Sequence, residues 1–198
     1  AMIKEYYNSE KNHDVLILGD CEVYENISTV TMWENYGISS YIRGSAEQLI
    51  WQSYYLLEDT LKYEKPQVVI VNVLAMTESD AKNEAYNRMT LDGMKLSKYK
   101  IASIRESMTE EENMASYIFP LLRYHSRWSE LSSEDFRYMW KTPSVTTNGY
   151  LMQKGVRPVT TIPKAAPLAN YTFSDRNMEY LDKIYSLCKD NGINLVLM

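Results

Sequence analysis

The sequence predicts an α/β layer fold built around a largely parallel sheet. Two observations carry this. Four short β-type runs alternate with segments that have helical periodicity or helix caps. Two of those runs, 14–19 (DVLILG) and 67–76 (QVVIVNVLAM), are apolar almost throughout, as strands covered on both faces are.

The elements follow in chain order. The first strand, 14–19, closes on Gly19. The second, 36–45 (YGISSYIRGS), sets β-branched and aromatic residues between Gly37 and Gly44. A helix comes next. Ser45-Ala46-Glu47-Gln48 fits a capping box, and Leu49, Ile50, Tyr54, Leu57 and Leu61 recur at helical spacing. Pro66 ends that unit, and 67–76 is the third strand. Residues 77–141 read as mostly helical, with a second capping box at Thr109–Glu112 and a kink at Pro120. Pro143, Gly149, Gly155, Pro158, Pro163 and Pro167 make 142–172 a long loop or an excursion with short strands. Ser174 then caps a helix with Met178, Leu181, Ile184 and Leu187 on one face, closed by Asn191-Gly192. Residues 193–198 (INLVLM) form the fourth strand.

The chain is expected to be one domain over 1–198, with 77–172 a helical and loop insertion within it. A final strand normally needs a covering helix, so the chain reads as the N-terminal part of something longer. A bare apolar last strand would favour dimerisation or strand exchange.

Composition sets further bounds. Hydrophobic residues make up 45% of the chain, enough for a sizeable core. The net charge is −5 and no basic block or stripe occurs, which argues against a nucleic-acid surface. No run of about 18 apolar residues is present, so no membrane-spanning segment is expected. The Ala1-Met2 start reads like a tag scar and leaves room for an upstream anchor. Cys21 and Cys188 make neither a disulfide framework nor zinc spacing, and no cofactor is expected. The 17 tyrosines read as buried amphipathic side chains rather than as a ligand surface.

In parallel α/β folds, sites lie beyond the carboxyl ends of the strands, which places Cys21, the Gly44–Gln48 turn and the segment after Val73 together. Cys21 follows Gly19-Asp20 at a strand-to-helix turn. Exposed backbone N–H groups there favour an anion, and a thiolate would be reactive. The alternative is a small packed thiol. Asp20 and Glu22 flank it, and carboxylates beside a thiol raise its pKa. Gly44 either turns its backbone N–H toward an oxyanion or serves a turn. Gln48 is a capping partner or a pocket residue. Asn72, inside an apolar strand, reads more readily as a structural hydrogen-bonder than as a pocket residue. Arg88, with Arg123 and Arg127, suits an anionic substrate group or surface ion pairing. Of the two histidines, His13 precedes the first strand and falls at the wrong end of the sheet. His125 either swings over the site as base or sits on a polar helix face.

The segments DVLILGDCEVY, YGISSYIRGSAEQLIWQSYYLL and PQVVIVNVLAM together resemble the SGNH/GDSL hydrolase superfamily. They look most like its membrane-anchored, cell-surface branch of Gram-positive bacteria, related to D-alanyl-lipoteichoic acid biosynthesis proteins and alginate O-acetyltransferases. NRMTLDGMKLSKYK, FPLLRYHSRW and YLDKIYSLCKDNGINLVLM resemble an uncharacterised clostridial subgroup, so the likeness spans nearly the whole chain. It implies a flavodoxin-like three-layer α/β/α sheet and ester chemistry on an acylated glycan or small ester at the cell surface. Cys21 takes the place of the family's nucleophilic serine and Gly44 that of its oxyanion glycine. Asn72 is nearest to the family's Gly-x-Asn block, with Gln48 as a substitute. The C-terminal Asp-x-x-His base is missing from this chain. The second reading is a catalytically inactive binding or scaffold protein of the cell envelope.

Overall fold

The computed structural model describes residues 2–78, 80, 83–119, 122, 130, 132–133, 136–137, 144–155 and 172–198. Four strands form one sheet in the order β2-β1-β3-β4: β1 (Val15–Gly19), β2 (Ser40–Gly44), β3 (Val68–Val71) and β4 (Asn194–Leu197). All pairs are parallel, with Gly19 opposite Gly44, Leu18 opposite Val71 and Val71 opposite Leu197. The predicted α/β class holds, and the layering is flavodoxin-like. From β1 the chain steps to one side for β2, then crosses back for β3, so the order reverses between β1 and β3. Such a reversal opens a crevice at the carboxyl ends of those strands.

The period-2 alternation of the strands divides the core in two. On one face Leu16, Leu18, Val69 and Val71 pack against α4 (Ile50–Thr60) and α8 (Asp175–Asp190), through Ile50, Leu57, Ile184 and Cys188. On the other, Val15, Ile17 and Ile42 pack against Val23 and Tyr24 of α2 (Cys21–Asn26). Helix α3 (Thr29–Tyr36) completes that second layer over β2. Burying each such aliphatic side chain stabilises the fold by roughly 1.5–3 kcal/mol before entropy is counted.

Several local expectations shift. Residues 36–39 lie outside β2: Gly37 ends α3 in the left-handed conformation at φ 66°, with its N–H donating to Trp33 O. Helix α4 starts at Ile50, so the Ser45–Gln48 box forms a turn ahead of it, and Gln52 reaches back to Leu49 N at 3.2 Å. Residues 73–77 are a 3-10 turn rather than strand. The third strand is sealed on one face only: Val69 and Val71 are fully buried, while Val68 and Ile70 are half-buried. Helices α2 and α3 lie over β1 and β2 and leave the β3–β4 half of that face thinly covered among the described residues. The core stripe of α8 is also rotated, to Asn177, Tyr180, Ile184 and Cys188, and Met178 is exposed. The middle of the chain supplies α5 (Glu84–Leu91), α6 (Lys98–Ser107) and α7 (Met114–Ile118). Asn113, not Thr109, caps α7. Pro120 lies outside the described residues.

Buried polar side chains tie these helices together. Gln52 donates to Asn87 Oδ1 and Ser107 Oγ, Trp51 Nε1 donates to Ser107 Oγ, and Asn87 Nδ2 donates to Ser107 O at 2.7 Å. A second polar cluster backs β2. Arg43 is fully buried and donates to Leu56 O, Asp59 Oδ2 and Thr60 Oγ1 at 2.9–3.1 Å, and to Tyr7 Oη at 3.1 Å. Its guanidinium stacks 4.3 Å from the ring centre of Tyr6. Tyr6 and Tyr7 belong to a short turn after α1 (Met2–Glu5), so the N-terminal segment lies against β2. That segment is clamped again where His13 Nδ1 and Glu64 Oε2 meet at 2.9 Å.

Candidate functional site

The carboxyl ends of β1, β2 and β3 meet tightly because two glycines allow it. A Cβ on Gly19 would fall 2.7 Å from Asn72 Cβ, and one on Gly44 would fall 2.9 Å from Gly19 O. The next residue after β2, Ser45, donates its N–H to Gly19 O at 3.3 Å, and Asn72 N donates to Leu18 O at 2.9 Å. Cys21, Gly44 and Asn72 therefore share one corner of the sheet, at the crevice where the strand order reverses.

Asp20 caps α2, its Oδ1 accepting from Glu22 N at 3.0 Å. This fixes Cys21 as the first helical residue. Asn72 is buried, and its Oδ1 accepts from Leu74 N at 2.7 Å. Its amide nitrogen donates to Glu22 Oε2 at 3.2 Å and to Asp20 Oδ1 at 3.4 Å. Asn72 is thus structural and also faces the site.

The corner is electronegative. Burial, then the charges of Asp20, Glu25 and Glu47, push the Cys21 thiol up; its own backbone N–H only partly offsets them. Asp20 is raised as well, by burial first and by Glu22 and Glu47. Cys21 at neutral pH is a half-buried thiol, not a thiolate. Of the two flanking carboxylates that the sequence points to, Asp20 raises the thiol directly and Glu22 raises Asp20, while Glu25 and Glu47 add to the effect on the thiol. Glu25 sits one helical turn after Cys21, a spacing legible in the sequence. Glu47 reaches the site from the β2–α4 turn, with φ at 54°, which no local pattern announces.

Of the other candidate residues, Gln48 braces the turn at this corner, and Arg88 and His13 sit elsewhere. Gln48 is buried, donates to Arg43 O and Ser53 Oγ, and accepts from Ser45 Oγ at 3.2 Å, holding the turn after Gly44. Arg88 on α5 is buried between Glu84 and Asp92, bonds Ser116 at 2.7 Å and lies over the Tyr117 ring. These partners belong to α5 and α7, not to the carboxyl edge. His13 stands at the amino end of β1 with Glu64. His125, Arg123 and Arg127 lie outside the described residues. Among the described residues no histidine reaches Cys21, no group of three or more metal-ligating side chains forms, and no helix is long and apolar enough to cross a membrane.

No family model matches the chain, and comparison with curated proteins and with solved structures finds no match.

Proposed function

We propose that the chain carries an ester-acting site of the SGNH/GDSL type, a hydrolase or acyltransferase with Cys21 at the nucleophile position. Its substrate would be an acylated cell-surface glycan or a small ester. The observation that supports this most is the meeting of Cys21, Gly44 and Asn72 at one corner of the sheet. A thiolate from Cys21 would attack the acyl carbonyl, and the oxyanion would take hydrogen bonds from backbone N–H groups and from the Asn72 amide. Collapse breaks the C–O bond, releases the alcohol and leaves an acyl thioester on Sγ. The proton of Cys21 must first pass to a base and from it to the leaving alkoxide; the described residues offer only carboxylates there, much weaker bases than the thiolate, so turnover by this chain is expected to be slow. A second reading, a pocket that binds without turnover, is favoured by the protonated thiol and by the commitment of the Asn72 amide to two carboxylates.

The test compares two reactions of the same thiol: acetylation by p-nitrophenyl acetate and alkylation by iodoacetamide. Only the first passes through an oxyanion. Asn72→Ala keeps the Cβ that packs on Gly19 and removes the amide. It should slow acetylation of Cys21 by about a hundredfold and leave alkylation nearly unchanged. If the two rates move together, Asn72 holds no oxyanion, and the binding reading replaces the ester reading.

A further inference from the structure

The outer edge of β2 is closed by residues more than a hundred positions away. Thr147 and Tyr150 exchange two backbone hydrogen bonds of 3.0 Å across Asn148 and Gly149, whose φ angles are 49° and 82°. This is the two-residue hairpin that Asn-Gly favours. The Ile42 N–H on the edge of the sheet donates to Asn148 O at 2.9 Å. A Cβ on Gly149 would run into the Ile42 carbonyl, so only glycine lets the strap lie this close. Further on, Leu151 N donates to Tyr24 O at 2.8 Å, and Thr29 Oγ1 donates to Thr147 O at 2.8 Å. Residues 144–151 thus lie along β2 and end on α2, beside the corner that holds Cys21.

One carboxylate fastens the start of this strap. Glu5 on α1 accepts from Ser144 Oγ at 2.8 Å, Val145 N at 3.1 Å, Thr146 N at 3.2 Å and Thr146 Oγ1 at 2.6 Å. Four donors converge on one half-buried side chain, and among the described residues no cation pairs with it. Hydrogen bonds to an ionised acceptor are about twice as strong as neutral ones, so the grip depends on the charge. We infer that residues 144–151 are a releasable guard on the β2 edge, latched by the ionised Glu5 carboxylate and freed when that charge is lost.

The groups around Glu5 are consistent with such a latch. Tyr41 on β2 feels the Glu5 charge, which helps raise its phenol above the usual range after burial. Lys4 is its exposed neighbour on α1, and the strap residues that touch it carry no charge. Burial pulls the Glu5 carboxyl up, but the bonds from Thr146, Val145 and Ser144 outweigh it and leave it below its usual value. A depressed carboxylate contributes above its unfolded pKa and loses that contribution as pH falls through its folded one. The latch is therefore closed at neutral pH and opens in acid, below the ordinary glutamate value of about 4.3. Glu64, which faces Tyr6 and His13 on the same segment, is depressed too and titrates in the same direction, so acid alone does not isolate Glu5.

Amide hydrogen exchange on the full chain tests this, with protection factors compared for wild type and Glu5→Gln. At pH 7, Glu5→Gln should lower protection at Ile42 and Leu151 by about tenfold or more, with Leu16, Ile17 and Val69 of the inner strands unchanged. Taking wild type to pH 3 should produce the same loss, and Glu5→Gln should show no further loss at those two amides beyond that of the inner strands. Thr146→Val, which removes one donor, should move Ile42 and Leu151 the same way by less. Equal protection in wild type and both variants, or loss only in step with the inner strands, would overturn the latch.

Discussion

The two outer strands of the sheet differ in a way that inverts their compositions. β2, Ser-Tyr-Ile-Arg-Gly, contains a full cation and is buried at every residue. β4, Asn-Leu-Val-Leu, contains three aliphatic side chains and is exposed at three of its four positions. What separates them is coverage. The N-terminal segment, α2, α3 and the 144–151 strap all press on β2. β4 receives α8 on one face and, among the described residues, little on the other or along its outer edge. Burial of a strand is thus decided by what the rest of the chain lays over it, and a cation is tolerated inside when a counter-charge and partners for most of its donors come with it.

The largest expected effect breaks the buried side of this contrast. Arg43 and Asp59 are both wholly inaccessible and meet at 3.1 Å. Asp59→Ala leaves a buried guanidinium without its counter-charge and should cost about 3–5 kcal/mol in urea unfolding. Replacing both, Arg43→Met with Asp59→Leu, should recover most of that loss, because matched apolar side chains remove the desolvation cost together. The pair is not fully satisfied as it stands: Arg43 Nε and Asp59 Oδ1 have no partner. If the double variant is as unstable as Asp59→Ala, the cost lies in the lost packing on Tyr6 and Tyr7 and not in the charge.

The same contrast explains how much the sequence revealed. All four strands were legible as runs, because DVLILG, YGISSYIRGS, QVVIVNVLAM and INLVLM stand out between caps, glycines and prolines, but the second and third runs overreach the strands, which span only Ser40–Gly44 and Val68–Val71. That Cys21 and the Gly44 turn meet was legible too, since strand ends in a parallel sheet share an edge by topology alone. That Asn72 is structural and also faces the site was not, because its partners Asp20 and Glu22 are 52 and 50 residues away. Helix α2 was legible only as the strand-to-helix turn at Cys21, and α3 not at all: six and eight residues long, they are held by Asp20 and Ser28 caps and by packing, with little periodicity to betray them. The strap was also missed, although its Asn148-Gly149 pair is a strong hairpin signal. Its partner Ile42 is over a hundred residues away, and no local pattern encodes that distance. The roles of Arg43 and Gln48 as buried structural groups also depend on tertiary partners, Asp59 and Ser53, that spacing does not predict.

A middle-sized effect probes the strap without touching charge. Gly149→Val places a branched side chain at φ 82°, against the Ile42 carbonyl. The strap must move or the turn must strain, at about 1–3 kcal/mol. Chemical denaturation measures the loss, and exchange at Leu151 shows whether the strap has left. A variant as stable as wild type with Leu151 still protected would mean that the close approach to β2 contributes little to sealing that edge.

The pH dependence is smaller and carries opposite signs in two places. Burial raises Glu64, but the bonds from His13 and Tyr6 outweigh it and leave it depressed, so its contribution is present above its unfolded pKa and fades as acid passes its folded one. Asp20, at the site, is raised by burial and by Glu22 and Glu47, so protonation relieves it and favours the folded state there. On acidification the clamp behind β2 should weaken while the Cys21 corner relaxes. Glu64→Gln should flatten the acid limb of the stability curve, and Asp20→Asn should steepen it. Identical curves for both variants and wild type would show that neither carboxylate senses folding.

The smallest effect lies on β4, where the contrast is sharpest. Val196 is 45% exposed and points to the face that α2 and α3 leave open, whereas Ile42 occupies the covered part of that same face at 2% exposure. Val196→Lys can extend its ammonium into water and should shift stability by no more than about 0.5 kcal/mol. Ile42→Lys buries the same charge between Val23 and Tyr24 and should prevent stable folding. A charge on an open strand also opposes edge-to-edge pairing, so Val196→Lys should lower any concentration-dependent association seen by sedimentation while the monomer keeps its melting temperature. If Val196→Lys instead costs several kcal/mol, β4 is covered in solution, and the difference between the two edges disappears.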